Sequence, residues 1–447
     1  MRKVLIANRG EIARRIIRTC REQGLGTVAV FSDADKDLPF VREADEAVHI
    51  GPPPVPHSYL NVDAIIAAAK QTGADAVHPG YGLLSENAAF ARRCQEEGLL
   101  FIGPSPEVIA QMGDKLTARN VMHNAGVPIV PGCKEPAQSP DEAAQLASEI
   151  GYPVMLKASA GGGGIGMQIC RDEAELRQAY QSAKGRAKAY FGNDAMYIER
   201  YVDEPRHIEV QIAGDIHGNV LHILERECSI QRRHQKVLEE SPSPFLDDDT
   251  REKLCSAAVQ AARAVGYTGV GTVEFIVDGN KQFYFLEMNT RLQVEHPVTE
   301  EMTGLDLVAM QLAIARGEKL SFAQEDIKAI RHAIELRVYA EDPVTFMPSP
   351  GTITLYQPPH LEGVRIDDGV ETGTQVTPFY DPMIAKVIAS GADRSEAIKR
   401  AKAAMQQFVL TGIKTNIPFL LEVLEDEQFV RGTYTTRFIQ ERKQKSV

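Results

Sequence analysis

Short apolar runs alternate with amphipathic stretches over roughly the first hundred residues, and few folds satisfy that alternation. Residues 3–7, 27–31, 74–77 and 99–102 are the apolar runs, each the length of a buried strand rather than a helix. Between them, residues 11–21 place Ile12, Ile16 and Ile17 on one stripe with arginines opposite, and residues 62–70 form a second helical stretch. Strands separated by helices imply a parallel sheet with right-handed crossovers. Ligands of such sheets meet the loops after the strands, here residues 8–11 and 78–82.

At 447 residues the chain has room for about three domains. A turn-rich stretch over residues 130–140 marks a boundary. Beyond it the pattern predicts a helix over 141–150, strands over 153–157 and 167–170 with a glycine run between them, and strands over 196–201, 207–213 and 220–225. These strands read together as one small antiparallel sheet with helices on it. A helix over 249–265, strands over 271–277 and 282–292, a strand over 333–339 and helices over 395–408 and 419–424 complete the chain.

The net charge is −12, so phosphate backbones and anionic lipid are repelled, and neither a nucleic-acid nor a membrane role is expected. No apolar run approaches about 18 residues, and the N-terminal apolar stretch is too short for a signal-peptide core. None of the six cysteines forms a CxxC pair, which favours reduced core thiols over zinc or disulfides. The cytoplasm is the expected compartment.

Any anionic ligand must then be held by local cations. The run from Ala160 to Gly166, which includes Gly163 and Gly164, lets backbone N–H groups close around phosphate oxygens. It is neither a P-loop nor a dinucleotide fingerprint. Lys157 ends the strand before the run, and Lys115 is a second candidate phosphate ligand, which taken alone could equally be a solvated helix-end lysine. Along residues 283–295, Glu287, Asn289 and Arg291 share one face, with Leu286, Met288 and Leu292 on the other; if the extended course persists, Gln293 and Glu295 join the polar face. A four-residue hairpin turn at 278–281 places Glu274 across from Phe285 and diagonal to Glu287. Two carboxylates and an amide oxygen suit Mg²⁺ or Mn²⁺ bound together with phosphates. Residues 225–236 crowd cations into an acidic protein, and Lys236 fits anion binding. Arg337, taken alone, reads first as a structural ion pair, and His207 and Glu209 fit either a solvated face or a cleft.

The motifs at residues 6–13, 78–87, 231–236 and 287–299 jointly resemble the biotin carboxylases, which are ATP-grasp enzymes, and the resemblance spans essentially the whole chain. It implies an α/β and α+β multidomain fold: a Rossmann-like N-terminal domain (1–114), an ATP-grasp domain with a mobile lid (115–330, lid about 131–203) and a mixed α+β C-terminal domain (331–447). It implies that Lys115 and Lys157 bind ATP phosphates, that Gly163 and Gly164 lie over them, and that Glu199, Arg200 and Val202 belong to a hinge holding adenine. His207, Gln231 and His234 would line the nucleotide site, and Glu274, Glu287 and Asn289 would hold Mg²⁺ or Mn²⁺. Lys236, Arg291 and the Val294 backbone would hold bicarbonate with Glu295 as its base, and Arg337 would stabilise the biotin enolate with Tyr81 nearby. Ala160 and Ile165 depart from the family's usual glycine and arginine.

The sequence contains no lysine between methionines, the attachment signature for biotin. The resemblance therefore places biotin on a separate carboxyl carrier protein, the carboxyltransferase on another chain, and this chain in a homodimer. The expected activity is the first half-reaction of an acyl-CoA carboxylase, with acetyl-CoA as final acceptor and propionyl-CoA, pyruvate or urea as alternatives. The competing enzyme is another ATP-grasp carboxylate–amine ligase.

Overall fold

The computed structural model describes residues 1–133, 135–158, 167–191 and 194–445. The opening alternation folds as expected. Strands β1 (Lys3–Ile6), β2 (Gly26–Ser32), β3 (Glu46–Gly51), β4 (Ala76–His78) and β5 (Leu100–Phe101) form one sheet in the order β3-β2-β1-β4-β5. Every pairing in it is parallel. Strand β3 escapes the apolar-run criterion because it is an exposed edge whose only fully buried residue is Ile50. The helix Gly10–Glu22 begins directly after β1 and lays Ile12, Ile16 and Ile17 on a core shared with Val4, Ile6 and Leu292. One of its arginines is not on the outer face: Arg15 is buried and reaches Glu300 at 2.6 Å and Asp306 at 2.8 Å.

The expected single small sheet is two sheets. Strands β6 (Val154–Ala158), β7 (Met167–Cys170) and β8 (Met196–Arg200) form a separate antiparallel unit, ordered β7-β6-β8 and packed on the helices Pro140–Ile150 and Glu173–Phe191. Strands β9 (Arg206–Gly214) and β10 (Val220–Arg232) belong instead to an eight-stranded sheet. That sheet also takes β11 (Gln235–Ser241), β12 (Gly269–Val277), β13 (Phe283–Asn289), β14 (His332–Tyr339) and the strands Met383–Gly391 and Val364–Asp368. The chain leaves the small sheet between Tyr201 and Pro205, where Glu204 takes a left-handed φ of 43°. Strand β10 runs past residue 225 because its later polar side chains are buried and paired, and it ends where Arg233 and His234, at φ 50° and 67°, make a two-residue turn into β11.

The eight-stranded sheet continues without a break across residue 331, from β11 to β14 and on to Met383–Gly391. On one side of β14, Ile334, Leu336 and Val338 pack with Ala397, Ala401 and Leu420. The other side carries Glu335, Arg337 and Tyr339. No helix among the described residues is long and apolar enough to cross a membrane.

Candidate active site

The β12–β13 hairpin turns at residues 278–281, with Lys281 at a left-handed φ of 62°. The ladder places Glu274 directly opposite Glu287 and Thr272 opposite Asn289, with a register shift before Phe275 meets Phe285. Glu274 is therefore not across from Phe285, and its relation to Glu287 is direct rather than diagonal. The bulge also turns Leu286 outward, leaving it 41% exposed instead of joining Met288 in the core. The extended course ends at Asn289, so Gln293 and Glu295 do not continue the strand. They re-enter the site from the turn that leads into the helix His296–Thr303.

Strand β9 lies beside β12, with Glu209 opposite Glu274. On the same face of β9, His207 Nε2 lies 2.8 Å from Glu274 Oε2. The other oxygen of Glu274 accepts from Asn289 Nδ2 and from Gln293 Nε2, each at 2.9 Å. Lys236 enters from β11, and its Nζ donates to Glu209 at 2.5 Å, Glu274 at 3.0 Å and Glu295 at 2.6 Å. Burial alone would lower the lysine's pKa, but Glu209, Glu274 and Glu295 outweigh it and hold the ammonium well above its ordinary value. Burial would likewise raise Glu295, but Lys236 and Arg337 hold it below the usual carboxylate range. Behind Glu209, the fully buried Arg226 bonds Glu209, Gln211, Thr299 and Thr272 and fixes that carboxylate from below.

The cation reading has physical support in this donor set. Partial desolvation and the charge of Glu274, directly across the ladder, together raise Glu287, and a divalent cation would relieve the repulsion between these like charges. Lys115, the first residue of the helix Lys115–Asn124, acts on Glu287 in the opposite direction. His207, Glu209 and Glu274 also present ligand atoms within 4.8 Å of one another, so a cation could draw on His207 as well as the carboxylates. Asn289 Oδ1 accepts from Arg291 at 2.9 Å, so the amide must let go of Arg291 to offer that oxygen to a metal.

Arg291 is otherwise held by Glu86 at 2.9 Å, and Arg337 Nη2 reaches Glu295 Oε2 at 3.0 Å. Both arginines line a cavity of about 510 Å³ between the N-terminal sheet and the far end of the chain, together with Tyr81, Val294, Tyr339 and Tyr380. The Tyr81 hydroxyl donates to Glu11, and Lys386 bonds Glu11 at 3.1 Å and the Val294 carbonyl at 2.9 Å.

Among the residues expected to bind nucleotide, Lys157 and Glu199 pair with each other across β6 and β8, and Arg119 joins the same carboxylate. Arg200 is exposed and its N–H donates to Pro131 at 2.8 Å, while Val202 is half-buried. Gln231 is half-buried at the end of β10, and His234 is exposed at the tip of the β10–β11 turn. Ala160, Gly163, Gly164 and Ile165 lie outside the described residues.

Sequence reasoning does not single out Lys386, Glu239 or Glu335. A lone lysine in the apolar strand Met383–Gly391 and a lone glutamate beside Leu336 are the available signals, since a charge inside an apolar strand must be paired or neutralised.

Three family models match successive parts of the chain: "Biotin carboxylase, N-terminal domain" over residues 1–109, "Carbamoyl-phosphate synthase L chain, ATP binding domain" over 114–323, and "Biotin carboxylase C-terminal domain" over 335–441. A biotin carboxylase of Halalkalibacterium halodurans is 58% identical, over 98% of this chain and 97% of that protein. A pyruvate carboxylase subunit of Methanothermobacter thermautotrophicus is 51% identical, over 98% of this chain and 89% of that protein. The biotin carboxylase domain dimer of Hydrogenobacter thermophilus 2-oxoglutarate carboxylase, solved with MgADP, ADP and bicarbonate, superposes with a TM-score of 0.92 at 47% identity, over 99% of this chain and 98% of that one.

Proposed function

The chain belongs to the biotin carboxylase family, as an ATP-binding ligase, and from that premise we propose that it carboxylates biotin borne on a separate carrier protein. The observation that supports this most directly is Lys236, a half-buried ammonium shared by Glu209, Glu274 and Glu295 and next in sequence to Gln235, which lines the cavity with Arg291 and Arg337.

Bicarbonate is a poor electrophile and must be activated by phosphorylation. Lys236, Arg291 and the Val294 backbone hold the bicarbonate anion. Once Lys236 donates to bicarbonate it pulls less on Glu295, so the carboxylate becomes a better base than it is while Lys236 holds it. Glu295 takes the bicarbonate proton, and the oxyanion attacks the γ-phosphoryl group of ATP, displacing ADP. Glu274, Glu287 and Asn289 would hold Mg²⁺ or Mn²⁺, which supplies charge neutralisation for the transferred phosphoryl group. Carboxyphosphate breaks down to CO₂ and phosphate, and the phosphate takes the ureido proton of biotin. Arg337 stabilises the enolate, which attacks CO₂ to give carboxybiotin. Lys115 and Lys157 bind the ATP phosphates, which requires Lys157 to leave Glu199.

The final acceptor we assign is acetyl-CoA, bound by a carboxyltransferase on another chain, with the enzyme acting in the cytoplasm as a homodimer. Pyruvate is the competing acceptor, because the pyruvate carboxylase relative matches this chain over almost its full length. An ATP hydrolysis assay with free biotin, with and without bicarbonate, tests the reading. ADP release that requires bicarbonate and is stimulated by biotin supports it; release that needs an amino acid and ignores biotin overturns it.

A further inference from the structure

Beside Arg337, on the same face of the sheet, lie two acids that the proposed chemistry does not use. Glu239 of β11 and Glu335 of β14 are directly opposed partners in the antiparallel ladder, so their side chains leave the same face side by side. Both are 0% exposed. Glu239 pairs with Nη2 of Arg337, the same nitrogen that meets Glu295 at 3.0 Å. Both oxygens of Glu335 are buried with no hydrogen-bond partner among the described residues.

The charged groups facing Glu335 are Glu239 on β11, Arg337 on its own strand, Lys386 on Met383–Gly391, and Glu295 at the head of the helix His296–Thr303. The Tyr81 phenol approaches from the N-terminal sheet. The reverse face of β14 is apolar. Lys386 is already committed to Glu11 and the Val294 carbonyl. A carboxylate enclosed in this way, facing a second carboxylate, takes up a proton rather than remaining charged.

Taking Arg337 in the role assigned to it above, we propose that Glu335 is a resident neutral carboxylic acid that donates its hydrogen to Glu239, and that this proton-sharing pair holds the Arg337 guanidinium in place for biotin. Burial raises Glu335 well above the ordinary carboxyl value, and burial raises Glu239 to about 7 against the pull of Arg337. The pair has a purpose in the reaction cycle. Glu295 becomes neutral when it takes the bicarbonate proton, and Arg337 then loses one of its two anionic partners. Glu239, joined to the same guanidinium nitrogen, remains as its partner and takes no part in the proposed proton transfers. Glu335, by staying neutral, prevents three carboxylates from crowding one guanidinium.

The test has a spectroscopic arm and a kinetic arm. In the infrared difference spectrum of wild type minus Glu335→Gln at neutral pH, a protonated carboxylic acid carbonyl band is expected above the amide I band, shifting in D₂O. Its absence overturns the proposal. In the kinetic arm, Glu335→Ala and Glu239→Gln are each expected to raise KM for biotin by about tenfold or more, since a misplaced catalytic group costs up to roughly 10²-fold. The loss falls more heavily on the biotin-dependent rate than on bicarbonate-dependent ATP hydrolysis without biotin. Glu335→Gln, a neutral isostere, recovers most of what Glu335→Ala loses; equal losses in the two variants overturn the proposal. If wild type shows no biotin-dependent turnover, the assigned function fails, and the infrared band still decides where the proton resides.

Discussion

Lys236 Nζ lies 2.6 Å from Glu295 Oε1, so the proposed base and the proposed bicarbonate clamp neutralise each other in the resting site. A substrate anion that enters must compete with Glu295 for the same ammonium. Binding of bicarbonate and activation of its base are thereby one event.

Lys236→Gln is expected to lower biotin carboxylation by at least about 10²-fold, because the anion loses its central cation. The variant also leaves Glu209, Glu274 and Glu295 buried together without their shared ammonium, a loss of roughly 3 kcal/mol. The folded-state pKa of Lys236 is raised, so its stabilisation is fully present at neutral pH and would be lost only at alkaline pH. Steady-state assays and urea melts at pH 7 check both; wild-type turnover removes Lys236 from the bicarbonate site.

Arg291→Ala is expected to abolish turnover to a similar degree while changing stability by less than about 1 kcal/mol, since its main ion pair is with a Glu86 side chain that is 40% exposed. Paired measurements of kcat and thermal midpoint separate the two effects. An unstable but fully active variant contradicts the assignment.

Glu287→Gln removes one of two opposed carboxylates from a position that is solvent-accessible, so the fold should be indifferent. The Mg²⁺ concentration for half-maximal ATP turnover is expected to rise by about tenfold or more, as changes even outside the ligand shell cost about 10- to 100-fold. A Mg²⁺ titration that overlays wild type removes Glu287 from the metal site.

Glu240 carries a pH dependence remote from the chemistry. Burial would raise its pKa, but hydrogen bonds from His332 and Arg394 outweigh burial and bring it down to about 2. A depressed folded-state pKa stabilises above the unfolded value and loses that stabilisation as pH falls toward about 2. Glu240→Gln is expected to cost on the order of 3 kcal/mol at pH 7 and to flatten the acid limb of a stability–pH profile measured by urea denaturation. An acid limb identical to wild type would count against this contribution.

The N-terminal sheet is legible in the sequence because β1, β2 and β4 are buried almost throughout and read as plain apolar runs, whereas β3 has a single fully buried residue and leaves no such trace. The identities of Glu274, Glu287 and Asn289 are equally legible, since polar side chains alternate with a buried face. Their register is not. A bulge adds one residue to one strand, and nothing in Phe283–Asn289 announces it except an exposed Leu286, whose exposure the sequence does not display. Strand β10 reads too short because Arg226 and Glu227 look like surface residues until Glu209 and Ser243 are brought beside them from other parts of the chain. Glu239 and Glu335 are separated by almost a hundred residues in sequence, and only the pairing of β11 with β14 makes them neighbours.

Because one hydrogen-bonded sheet passes through residue 331, Glu274, Glu209, Lys236, Arg337 and Lys386 are rungs of a single lattice with strand spacings of about 4.8 Å. Separating the chain at that residue would leave two raw β-edges, each bearing half of an unfinished constellation, so the C-terminal quarter cannot be grafted elsewhere as an interchangeable module. The groups on these rungs thus keep their mutual distances whatever the smaller β7-β6-β8 unit does.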